Sequence, residues 1–145
     1  MKRNTSPTDA NPDAGQMLFT YRRSVAERLA SGDLRDVSAS AKAGGLRWPL
    51  AVSRALWEDV EDVPNAYRRT ETAPARWRHL FVLTATAAAQ ARRENKASVE
   101  INVVLRTTDA PARSREHMKT LVLRWEHDDA AGVACETFTL GHRGE

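Results

Sequence analysis

The chain has a single cysteine, Cys135, among 145 residues. No internal disulfide can form, so the simplest setting is a reducing cytoplasm. The thiol lies in a stretch expected to be a strand, with no helix N-terminus to activate it, and is expected to pack as a small apolar group. Long apolar runs are also missing. Nothing approaches the roughly 20 residues needed to cross a bilayer, and the opening stretch MKRNTSPTDANPDAGQ has no apolar segment of a secretory leader. A cytoplasmic protein without a membrane partner is therefore expected. Glycine is scarce, and Gly44-Gly45 is not followed by Lys-Ser or Lys-Thr, so no phosphate-cradling loop is present. No Gly-x-Ser-x-Gly elbow occurs. His79, His117, His127 and His142 stand at no zinc-binding spacing. No catalytic residues, metal or cofactor are therefore assigned, and the chain is expected not to be an enzyme.

What is present is the composition of a globular protein, 41% apolar and 28% charged. The length suits one domain with a core that needs no covalent or metal staple. Residues 1–16 are polar and without an apolar period, and are expected to be a disordered arm before a single domain at 17–145. The net charge of +3 is unevenly spread: +2 over residues 1–32, −2 over 33–66, +5 over 67–98 and −2 over 99–145. Such polarity steers charged partners but falls short of the broad basic face of a DNA-binding protein.

Periodicity supplies the elements. Ser24-Val-Ala-Glu27 is a capping box, and Gly32 suits the left-handed stop of a short helix. Leu34 and Val37 suggest a brief extended piece, after which Ser38 reads as a second helix cap. Pro49 suits a first turn, and Val52, Ala55, Leu56 and Val60 follow at helical spacing up to Pro64. The strongest helix opens at Pro74 or Ala75 and runs to about Arg93, with Trp77, Leu80, Phe81, Thr84, Ala87, Ala88 and Ala91 on one stripe. Val82 and Leu83 widen the apolar surface and suggest packing on more than one side. The period then becomes two. Val99–Leu105, Thr120–Trp125 and Val133–Leu140 alternate as half-buried strands, with HDDAAG as a turn between the second and third. The expected fold is α+β: N-terminal helices plus one long helix packed on a C-terminal three-stranded antiparallel meander.

Two charged groups are candidate sites. Glu58, Asp59, Glu61 and Asp62 end the helix after Pro49, and with Trp48 they form a candidate protein-binding surface. Trp48 belongs to no periodic element, which suits either an exposed aromatic anchor or a lid on the core. Glu58 and Asp62, one helical turn apart, could share Mg²⁺ in a nuclease, but no further oxygen ligands are marked. Arg68, Arg69, Arg76, Arg78, Arg92 and Arg93 are the candidate nucleic-acid contacts. Arg68 and Arg69 precede the long helix, Arg76 and Arg78 are at its start and Arg92 and Arg93 near its end, the two ends roughly 20–25 Å apart at 1.5 Å per residue.

The segment YRRSVAERLASGDLRDVSASAKAGGLRWPLAVSRALWEDV resembles a family of small uncharacterised proteins encoded on bacterial plasmids, integrative elements and phages. Tyr21, Arg23, Gly32, Asp36-Val37-Ser38, Gly45, Pro49 and Trp57 carry most of the likeness. ARWRHLFVLTATAAAQARR and LVLRWEHDDAAGVACETFTL resemble the later segments of that family, while Asn65–Pro74 departs from it. The resemblance implies a mobile-element setting and brings no catalytic residues. Small proteins of that setting commonly occlude a surface on a host factor. The expected function is thus non-enzymatic binding of a host protein or complex, with inhibition of a defence system of CRISPR or restriction type as its sharpest form. A nucleic-acid-binding regulator using the arginines, and a metal-dependent nuclease using Glu58–Asp62, are the alternatives.

Overall fold

The structure, a computed structural model, describes residues 23–128 and 135–145. The expected arm at 1–16 and most of the HDDAAG turn lie outside the described residues. In chain order the elements are α1 (Val25–Ser31), β1 (Leu34–Asp36), α2 (Ser38–Ala43), β2 (Leu50–Ser53), α3 (Arg54–Glu61), α4 (Ala73–Arg93), β3 (Ser98–Val104), β4 (Met118–Asp128) and β5 (Cys135–His142). The described strands form one sheet in the order β1-β2-β5-β4-β3.

The class is α+β, as expected, but the sheet has five described strands rather than three. The meander β3-β4-β5 is there, antiparallel throughout, with Leu121 opposite Ile101 and Trp125 opposite Phe138. Beyond it β2 lies parallel to β5, pairing Leu50 with Phe138 and Val52 with Leu140, and β1 closes the described sheet antiparallel to β2. The residues Leu50–Ser53 were expected in a helix. Every one of them is buried, Leu50 and Val52 toward one face and Ala51 and Ser53 toward the other. A strand covered on both faces shows no alternation, so its period cannot separate it from a helical turn.

One face of the sheet carries the main core. Leu50, Val52, Ile101, Val103, Leu121, Leu123, Phe138 and Leu140 meet Leu56 and Val60 of α3 and Leu80, Phe81 and Ala88 of α4. On the other face Val25 of α1 packs with Leu34 and Ala51. The capping box of α1 is complete: Ser24 Oγ accepts from the Glu27 amide (3.0 Å), and the Ser24 amide donates to Glu27 Oε1 (2.8 Å). Gly32 ends α1 at φ 85°, a conformation cheap only for glycine. Ser38 does not cap α2. Its hydroxyl bonds the amide and carbonyl of Leu50, pinning α2 to β2, while Asp36 Oδ1 accepts from the Ser38 amide (2.9 Å).

Helix α4 starts at the Thr72 cap, whose Oγ1 accepts from the Ala75 amide. Its buried stripe is Arg76, Leu80, Thr84, Ala88 and Ala91, joined by Phe81. Val82 is 56% exposed, so the helix packs through one broad face and not on several sides. No described helix is long and apolar enough to cross a membrane.

Where α2 ends, Gly44 lies against α4 so closely that a Cβ there would stand 3.0 Å from Phe81 Cβ. Gly44→Ala is therefore expected to cost about 1–3 kcal/mol through overpacking. Chemical denaturation checks this, and an unchanged midpoint would mean that α2 and α4 do not meet there.

Candidate functional site

The first two turns of α4 divide by helical spacing. Pro74, Trp77, Arg78 and Phe81 line a cleft of about 550 Å³ shared with α2 and α3. Ala75, Arg76, His79 and Leu80 line a second cleft of about 470 Å³, shared with Val60 of α3 and residues 103–106. Residues three and four apart share a side of a helix, so one segment builds both walls.

In the first cleft Trp57 and Glu61, one turn apart on α3, face Trp77. The Trp77 indole N–H donates to Glu61 Oε2 (2.6 Å), and its ring stacks on Phe81 at 5.4 Å between centroids. Both tryptophans are half-buried against the edge of the core, so each is anchored and still presents ring surface. Arg35 lies over Trp57 at 4.1 Å from the ring centroid. Three of the four predicted acidic residues, Glu58, Glu61 and Asp62, are exposed at this end of α3. Asp59 turns away: its Oδ2 meets His142 Nε2 at 2.7 Å, tying α3 to the end of β5. The quartet therefore does not converge on one point. Among the described residues no group of three or more His, Cys, Asp or Glu side chains is placed to hold a metal ion.

Trp48 takes the lid role: it is half-buried, edge-on to Phe138 at 5.6 Å, with Arg47 over its ring. It does not line either cleft.

The arginines separate as well. Arg68 donates from Nε to the Val63 carbonyl, and Arg92 lies over Trp125 at 4.4 Å from the ring centroid. Arg69, Arg78 and Arg93 are exposed. Arg76, expected on the surface, is buried, with 7% of its side chain exposed. It continues the core stripe one turn before Leu80, a position that faces the sheet whatever its residue type. This removes Arg76 from any outward-facing nucleic-acid surface.

Around Arg76 lies a cluster that the sequence reading missed. Arg76 Nη2 donates to the Arg106 carbonyl, and Arg76 Nε stands 3.6 Å from Glu71 Oε1. Arg106 Nη1 takes the other oxygen, Glu71 Oε2, at 2.6 Å, and its guanidinium lies over Tyr67. Burial pushes the Arg76 guanidinium down from the ordinary arginine range, while Glu71 and, to a smaller extent, Asp59 oppose that shift. The neighbouring loop is held by Tyr67, whose hydroxyl donates to the Ala110 carbonyl, and by buried His117, whose Nε2 lies 3.1 Å from the carbonyls of Ala110 and Pro111. The hint available in sequence was the i−4 relation of Arg76 to Leu80; the pairing with residues 71 and 106 had none.

Comparison with protein-family models, curated proteins and solved structures found no match to the chain.

Proposed function

We propose that this chain acts by binding rather than by catalysis. Its partner is a host protein that presents a basic side chain to the cleft between α2, α3 and α4. The supporting observation is that Trp57 and Trp77 line that cleft with Glu61, whose carboxylate is oriented by the Trp77 indole. A lysine or arginine stem fits against indole surface while its cation meets a carboxylate, which has lone pairs beyond the one Trp77 uses. Glu58 and Asp62 are not in the cleft wall but add an exposed acidic rim at the same end of α3, beside the cations Arg78 in the wall and Arg35 over Trp57. Aromatic anchors inside a polar rim are the usual composition of a protein-binding surface. The mobile-element resemblance makes a defence-system component the partner of choice, and occlusion of its surface the mode of action.

The test is capture from bacterial lysate, treated with nuclease, by the wild-type chain and by a Glu58→Lys/Glu61→Lys/Asp62→Lys variant. Asp59 is left intact because it holds His142. Loss of the captured protein by about tenfold or more, with the circular dichroism spectrum retained, is the expected result; a difference of 1.4 kcal/mol suffices for it. Equal capture by both proteins would show the acidic rim to be the wrong surface.

A further inference from the structure

The second cleft, on the opposite side of α4, carries an inference independent of the protein-binding reading. Two guanidinium groups, Arg76 and Arg106, share one carboxylate, Glu71. Donors exceed acceptors there: Arg76 Nη1 and Arg106 Nε are buried without a hydrogen-bond partner among the described residues. Buried donors are normally satisfied, and each one left unmade costs free energy. Two further carboxylates, Asp59 and Asp62, act on Arg76 through space, but Asp59 already holds His142. The same two arginines line the cleft of about 470 Å³, whose other walls include Val60, Ala75, Leu80 and Val103. Its volume falls in the range that encloses a small molecule, and an apolar wall with a few convergent polar groups is the usual make-up of such a site.

We propose that this cleft binds a small monocarboxylate with a short apolar body. Its carboxylate pairs with the Arg76 and Arg106 charges from the cleft side, adding to the one carboxylate, Glu71, that they share, and its apolar body lies along Val60, Leu80 and Val103. Planar guanidinium forks match a carboxylate in two-point contact, which an alcohol of the same length cannot reproduce.

The probe is sodium octanoate, titrated into the ¹⁵N-labelled full chain, with 1-octanol as the uncharged control. The readout is the Nε–Hε resonances of Arg76 and Arg106. The expected result is a saturable shift of both with octanoate, half-complete below about 1 mM, a binding free energy of about 4 kcal/mol, and no such shift with octanol. Ala75→Leu fills the cleft and leaves both arginines in place; it is expected to weaken octanoate binding at least tenfold with the fold retained. Arg106→Gln is expected to do the same by removing a charge, and if it fails to fold, Ala75→Leu decides. Equal responses to octanoate and octanol, wild-type binding by Ala75→Leu, or arginine resonances that stay still to several millimolar octanoate would each overturn the proposal.

Discussion

Phe138→Ala is expected to lower the unfolding free energy by about 3–5 kcal/mol, the range for truncating a fully buried aromatic side chain. The side chain has no exposed surface. It lies on β5 between two tryptophans, with Trp125 at 4.5 Å and Trp48 at 5.6 Å between ring centroids. Its strand joins the meander to β2, and its amide donates to the Pro49 carbonyl. The truncation therefore opens a cavity where the two halves of the sheet meet. Chemical denaturation measures the loss. A value below about 1.5 kcal/mol would fit a peripheral residue and contradict the continuous sheet.

Glu71→Ala is expected to cost about 3–5 kcal/mol, because removing one partner of a buried ionic cluster leaves the others uncompensated. Glu71 is the carboxylate that both Arg76 and Arg106 approach, and its side chain is 20% exposed. The sign of a second change separates charge from packing. Arg76→Met added to Glu71→Ala removes one unpaired guanidinium and is expected to restore about 1 kcal/mol or more, since apolar replacements of buried ion pairs are often neutral or stabilising. If the double variant is less stable than Glu71→Ala alone, Arg76 contributes through its packing and backbone bond to Arg106, not through its charge.

The parts of this fold legible in the sequence are those set by short-range rules. The capping box at Ser24, the reach of α4 to Arg93 and the alternation of β3 and β4 each follow from residues a few positions apart. The strand β2 was not legible, because four consecutive buried residues carry neither a period of two nor a helix stripe long enough to measure. Ser38 has the sequence setting of a helix cap, yet its hydroxyl serves a strand twelve residues on rather than the adjacent helix. The candidate sites were half legible. The acidic end of α3 is exposed as composition suggested, yet Asp59 is bound by His142, 83 positions away. Arg76 misled because arginine is normally read as a surface residue, while the helix phase places position 76 under α4. The convergence of Trp57, Glu61 and Trp77 depends on how α3 crosses α4, which no local pattern encodes.

The central claim is that the Trp57–Glu61–Trp77 cleft and its acidic rim meet the partner. Carbodiimide labelling of carboxylates, read residue by residue by mass spectrometry, tests it on the free chain and on the complex retained from lysate. Glu58, Glu61 and Asp62 should be labelled in the free chain and shielded in the complex, while Glu100 and Glu116, on β3 and in the loop before β4, stay reactive in both. Equal labelling of the three α3 carboxylates in the free and bound states would contradict the account.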